Sequence, residues 1–188
     1  MTEKVVKCVV VGDGMVGKTC LILRYILDDL SSMDVYIPTI ADTYTSKLKA
    51  GNTSVVFNLL DTAGQQEYAR LRQLSYPQTD IFIVCFAVND TDSYQNAREL
   101  WIPEVRHFCP NALILLAGTK TDKRGADGQE QPIISTSKGH RLASRIKVAG
   151  YVECSAITGE GVKTVFDTAI RLTLTRKIHP KRRACSIM

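Results

Sequence analysis

Residues 12–19 constrain the fold of this 188-residue chain more than any others. They read Gly12-Asp13-Gly14-Met15-Val16-Gly17-Lys18-Thr19, the pattern G-x-x-x-x-G-K-[ST]. A β-branched run at 5–11 precedes them, and an apolar stretch at 18–28 follows. The run predicts a strand buried on both faces, and the stretch predicts a buried helix. Glycines let the loop between them curl until successive N–H groups point inward at phosphate oxygens. The helix adds the positive end of its dipole. Lys18 then reaches the outer phosphates, and the Thr19 hydroxyl is a hard oxygen ligand for Mg²⁺. Gly14, Met15, Val16, Gly17, Lys18 and Thr19 are therefore candidate phosphate-binding residues, with the backbone of Cys20 next to them.

The rest of the chain continues the alternation of strand and helix. Residues 44–49 alternate polar with apolar, Gly51-Asn52 turns, and 55–60 follow: a β-hairpin. Residues 81–88 and 113–117 read as buried strands, and 151–154 as a short last one. Asn89-Asp90-Thr91-Asp92 offers caps for a helix carrying Tyr94, Ala97, Trp101, Val105 and Phe108 on one face. Pro103 is expected to kink that helix or leave one hydrogen bond unmade. Ser137 is placed to cap a helix with Leu142, Ala143 and Ile146. Val162, Val165, Phe166, Ala169 and Ile170 keep a 3.6-residue period for a final helix. Residues 123–132 are polar and predict a surface insertion, with Lys123-Arg124 as solvated loop. Six strands and about five helices predict an α/β fold: a six-stranded, mostly parallel sheet with one antiparallel edge strand.

Charge locates a second feature. The chain holds 24 basic and 19 acidic residues. Residues 176–188 contain Arg176, Lys177, Lys181, Arg182 and Arg183 and no acid, so residues 1–175 are formally neutral. A basic protein of this kind is not read as a nucleic-acid binder, because the excess sits on a terminus that suits an anionic surface. The last four residues, Cys185-Ser186-Ile187-Met188, fit C-a-a-X, and Met at the end favours a farnesyl group on Cys185. One prenyl chain binds a membrane weakly, and the basic residues supply the second signal. The organisation expected is a domain over 1–175 and a basic tail over 176–188. The six cysteines lack metal spacing, and the four in apolar strand-like or helical contexts read as reduced core thiols. His107, His140 and His179 show no ligand spacing either.

Three further motifs fall at the ends of predicted strands, where open α/β sheets bind ligands. Asp61-Thr62-Ala63-Gly64-Gln65 follows the third strand. Its Asp can hold Mg²⁺ through water, and the Gly64 N–H can meet a γ-phosphate. Thr119-Lys120-Thr121-Asp122 follows the fifth. A carboxylate there accepts two hydrogen bonds from guanine, which adenine does not offer. The Lys120 stem can pack over the ring. Cys154-Ser155-Ala156 ends the sixth, where a backbone N–H can reach the guanine carbonyl. Each motif alone marks an ordinary turn, but together and in this order they specify a guanine-nucleotide site.

Over nearly its whole length the chain resembles the small GTPases of the Ras superfamily, and within them the Rho family. The resemblance lies in the motifs above, in Tyr68 with Arg70-Leu71-Arg72 and Leu74-Ser75-Tyr76-Pro77, and in Thr119-Lys120 where Ras proteins carry Asn-Lys. Tyr36-Ile37-Pro38-Thr39 is similar to the first switch. The resemblance implies that Thr39 ligates Mg²⁺ beside Thr19 and, through water, Asp61, and that Tyr36 covers the nucleotide. It implies catalysis by Gln65, Lys18, Gly64 and Thr39, and nucleotide contacts from Leu30, Ser155, Ala156 and Ile157. It also implies GTP and GDP as bound nucleotides, exchange factors, GTPase-activating proteins, a dissociation inhibitor and GTP-dependent effectors. A monomer at the cytoplasmic face of the cell membrane, exchanging with cytosol and regulating the cytoskeleton, is the resulting expectation.

The chain departs from that family at five places. The insertion at about 123–135 is shorter by one to two helical turns. Ala41 and Leu60 stand where Phe and Trp are usual. Two extra residues precede Tyr36. Leu30 replaces the Phe that packs on guanine. A P-loop kinase or ATPase is the first rival, and it lacks a use for Asp122. A non-hydrolysing scaffold is the second, and it lacks a use for an intact Gly14 and Gln65.

Overall fold

The computed structural model describes residues 3–28, 41–50, 53–124 and 132–176. Its strands are β1 (Glu3–Gly12), β2 (Ala41–Ala50), β3 (Thr53–Thr62), β4 (Ile81–Ala87), β5 (Leu113–Thr119) and β6 (Gly150–Glu153). They form one sheet in the order β2-β3-β1-β4-β5-β6. Only the β2–β3 pair is antiparallel, with Ala50 opposite Thr53. The reversal in strand order brings the carboxyl ends of β1 and β3 together, which is where the motifs lie.

Helix α1 (Lys18–Leu27) packs on one face of the sheet, and α2 (Ala69–Leu74) follows a 3₁₀ turn at Gln66–Tyr68. Helix α3 is composite: α-helical at Thr91–Asn96 and Ile102–Phe108, with a π-helical stretch Ala97–Trp101 between. Helices α4 (Thr136–Arg145) and α5 (Val162–Thr175) complete the fold. Leu21 and Ile22 of α1 meet Val165 and Phe166 of α5 over one face of the sheet, and Tyr25 stacks on Phe166 at 4.2 Å. Trp101, Val105 and Leu142 close the other face against Phe82, Val84 and Phe86. β4 is buried along its whole length, as its apolar run requires.

Several expectations need correction. β1 is buried on both faces only from Cys8, where β4 joins it; Val5, before that point, is 58% exposed. α1 buries Lys18, Leu21 and Ile22 but leaves Leu27 exposed, so only one stripe of it faces the core. The one-bond gap expected at Pro103 is accompanied by a π turn, in which the Ile102 N–H reaches back to the Ala97 carbonyl. Proline has no N–H to give, and widening the preceding turn keeps the helix continuous around that gap. Val105 stays buried past this turn, but Phe108, expected on the same face, is the last helical residue and is 46% exposed. α4 is capped by Ser135, not Ser137; the Ser135 hydroxyl accepts from the Lys138 N–H at 3.3 Å. The Asp90 cap of α3 is as expected, accepting from the N–H groups of Asp92 and Ser93.

Arg124 is not a solvated loop residue. Its guanidinium grips Glu153 through two 2.6 Å contacts and donates to the Ile134 carbonyl at 2.8 Å, pinning both sides of residues 125–131. Burial pushes the Glu153 carboxyl up, and Arg124, Tyr151 and Thr136 together pull it below its ordinary value. The five described cysteines are free, and burial raises the thiols of Cys8, Cys85 and Cys154, that of Cys85 to about 12. Among the described residues no helix is long and apolar enough to cross a membrane.

Candidate nucleotide site

The loop from Gly12 to Thr19 takes the curled form its glycines permit. Gly17 caps α1 with φ at 95°, and Met15 shares the left-handed region at 63°. A Cβ at Gly12 would lie 2.3 Å from the Cys85 carbonyl oxygen, so the loop leaves β1 pressed against β4. Lys18 is 6% exposed, and its ammonium donates to the carbonyls of Gly12 at 2.9 Å and Asp13 at 2.7 Å. Burial lowers its pKa, while Asp61 and Asp13 act the other way. The charge is thus held on the loop's own backbone, over the space that its N–H groups enclose.

The strand order brings Asp61, at the end of β3, beside this loop. The Thr19 hydroxyl donates to the Asp61 carboxylate at 2.6 Å. Gly64 rests directly on the loop: a Cβ there would lie 2.3 Å from Asp13 C and 2.4 Å from Gly14 N. Gln65 follows, half-buried, and a Cβ built at Gly14 would meet its Cγ at 4.0 Å. On the base side the Ser155 hydroxyl donates to Asp122 at 2.6 Å, and the Thr121 N–H reaches the Cys154 carbonyl. The motifs after β5 and β6 are thereby one unit. Lys120 adopts the left-handed conformation, at φ 59°. Ile157 is exposed and Cys20 half-buried.

Thr119, expected at the nucleotide, has another visible task. Its hydroxyl bridges the Val16 carbonyl at 2.5 Å and the Phe86 carbonyl at 3.0 Å, tying the loop to the sheet. Leu30, Tyr36 and Thr39, the insertion at 125–131 and Cys185 with the basic residues 177–183 lie outside the described residues.

Two groups in the site escaped the sequence reading. Asp13, an unassigned position of the loop motif, accepts from Trp101 Nε1 at 2.6 Å and Asn96 Nδ2 at 2.7 Å. Trp101, which the helical period places on a packed face, also anchors the loop. Arg72, only 2% exposed, donates to the Ala63 carbonyl at 2.9 Å and the Gln65 carbonyl at 3.3 Å. It pairs with Glu104 at 3.3 Å and lies over the Trp101 ring at 4.4 Å. Tyr76 completes the cluster, donating to Glu104 at 2.6 Å. An aspartate inside the loop and a basic residue in an otherwise exposed helix were the only signals available.

Arg72→Met keeps most of the stem but removes the charge, leaving Glu104 with only the Tyr76 hydroxyl among these groups. Breaking a buried pair in this way costs about 3–5 kcal/mol. Urea unfolding is expected to show a midpoint lowered to match. An unchanged midpoint would mean that the ion pair does not hold α2.

The donors suit a divalent cation of the Mg²⁺ type. A hydroxyl and a carboxylate, both hard oxygen ligands, lie within one hydrogen bond of each other at the mouth of a phosphate loop. Among the described residues no trio of His, Cys, Asp or Glu forms a metal cage. A family model described as Ras family matches residues 7–175, from within β1 to the end of α5. The loop, the carboxylate after β3 and the paired motifs after β5 and β6 all fall inside that match, and the chain belongs to the Ras family of small GTPases.

Proposed function

We propose that this protein is a Rho-like switch that binds GTP and GDP, hydrolyses GTP, and signals from a membrane surface. The observation carrying the nucleotide reading is the seat of Gly64 on the loop, with Thr19 and Asp61 joined beside it. The Rho assignment rests on residues 68–77 and on Thr119-Lys120. Leu71 and Leu74 of α2 are exposed and offer apolar contacts for regulators and effectors.

Hydrolysis by in-line water needs positioning and charge neutralisation more than covalent chemistry. Gln65 orients the water. Lys18 exchanges its carbonyl partners for phosphate oxygens, and the N–H groups of Gly64 and residues 14–19 take up the growing charge. Thr19, Asp61 and Thr39 would hold Mg²⁺, which when bound neutralises charge between the phosphates. No arginine of residues 36–38 is available for the transition state, so intrinsic turnover is slow and an activating protein supplies one. Loss of the γ-phosphate frees Gly64 and Thr39, and the surface read by effectors changes.

The base reading has a direct test. Asp122→Asn sets an amide NH₂ against a guanine donor, at about 1–3 kcal/mol, or roughly five- to 150-fold. GTP preference over XTP is expected to fall by that factor in a competition assay. Undiminished preference would place base recognition elsewhere, and ATP competing as well as GTP would favour a kinase or ATPase. For the anchor, Cys185→Ser is expected to leave the protein wholly in the soluble fraction of a cell lysate, whereas Lys181, Arg182 and Arg183 changed to Gln release only part of it. A Cys185 variant still on membranes would remove the prenyl anchor.

A further inference from the structure

A groove of about 980 Å³ lies between the first half of α3 and the length of α4, away from the nucleotide loop. Arg98 of α3 faces it, with Lys138, Arg141 and Arg145 of α4, and no carboxylate lines it. All four side chains are exposed, and none joins an ion pair among the described residues. Lys138 is steadied over the Tyr94 ring at 4.9 Å. Asp92 and Glu99 of α3 are not among the groove residues. The segregation is written into the sequence: residues 131–152 contain no Asp or Glu. In a domain whose charges sum to zero, four uncompensated cations gathered in one concave surface select a polyanionic partner.

The basic surface continues toward the tail. Arg106 and Lys147 border a second hollow, also without an acid, and the Arg106 guanidinium donates to the Ile146 and Lys147 carbonyls. Arg176 donates to the carbonyl of Asn111, between the Pro110 and Ala112 that line this hollow. The tail therefore leaves the domain at the foot of the same surface. Cys185 is nine residues beyond Arg176, a reach of about 30 Å at full extension.

We propose that the groove receives the anionic headgroups of the bilayer that holds the tail, so that the domain lies on the membrane by its α3–α4 face. This rests on the reading of the tail as a lipid anchor. Tethering keeps the groove at high effective concentration over headgroups, an advantage that no dissolved polyanion has. It also leaves the output surface free. β2 stands at the opposite edge of the sheet from β6, on which α4 packs, five strand spacings or about 24 Å away. A domain seated by α3 and α4 keeps that edge clear for partners.

Full-length, unprenylated, GDP-loaded protein floated with phosphatidylcholine vesicles, with and without phosphatidylserine and phosphatidylinositol bisphosphate, tests the proposal. Wild type is expected to bind only the anionic vesicles, and less as salt rises. The variant Lys138→Gln/Arg141→Gln/Arg145→Gln is expected to lose about 100-fold in vesicle affinity at low salt. Its GDP binding stays at the wild-type value and its thermal midpoint close to it, since these side chains hold no ion pair and only the exposed contact of Lys138 with the Tyr94 ring is lost. Vesicle binding equal to wild type would overturn the proposal. So would loss of binding to soluble inositol trisphosphate with none on vesicles, which would assign the groove to a free ligand. Changing Lys181, Arg182 and Arg183 to Gln reports on the tail separately. If that variant binds normally while the groove variant does not, the tail reading fails and the groove stands.

Discussion

Gly64→Ala is expected to cut GTP hydrolysis by about 100-fold or more while GDP stays bound. The methyl group would come within 2.3 Å of Asp13 C, 2.4 Å of Gly14 N and 2.5 Å of the Gly12 carbonyl oxygen. All three are backbone atoms, so no rotamer change relieves the overlap. The loop beneath cannot drop away either. Thr119 ties it to the sheet through Val16, and Trp101 and Asn96 hold it through Asp13. The segment after β3 must lift instead, taking the Gly64 N–H away from the γ-phosphate and Gln65 away from the water. Loss of one aimed donor alone costs about 10²–10³ in rate. Single-turnover phosphate release measures it, together with the ratio of GTP to GDP affinity, which is expected to fall. A rate within twofold of wild type would show that Gly64 does not rest on the loop during the reaction.

Gln65→Leu separates chemistry from binding. Leucine matches glutamine closely in size, and the Gln65 side chain is only half-buried, so the substitution fits. The Gln65 carbonyl, which Arg72 holds, is backbone and survives the change. What disappears is the amide that orients water. A positioned group of this kind contributes about 10²–10⁴ in rate, and intrinsic hydrolysis is expected to fall by at least the lower figure. Nucleotide affinity stays as in wild type, unlike Gly64→Ala, in which GTP affinity also drops. Phosphate release at the wild-type rate would remove Gln65 from the mechanism.

The site was legible because its chemistry is local. Gly12 to Thr19 must be contiguous for one loop to wrap phosphates, and Asp61 to Gln65 and Thr119 to Asp122 are each one turn of chain. Strand order then needed only the rule that ligands sit at carboxyl ends. The supporting shell was not legible, because its partners are far apart in sequence. Asp13 meets Trp101 and Asn96 more than eighty residues away, and Arg72 meets Glu104 across 32. Nothing in the spacing of single residues marks such pairs. Arg124 looked solvated for the same reason, since Glu153 lies 29 residues on.

The sequence by itself determined the sheet, the order of its motifs and the residues offered to nucleotide, because apolar period and loop chemistry act over a few residues. Tertiary structure decided the rest. It turned Pro103 into a π turn, since the packed helix had to run on past a missing N–H. It exposed Val5, which precedes the pairing with β4, and Phe108, which ends its helix, so apolar character was no guide at either. It gave the Thr119 hydroxyl a brace to hold between the loop and the sheet. It also gathered four cations on α3 and α4 into one groove, because charges scattered over 98–145 become neighbours only when two helices pack side by side.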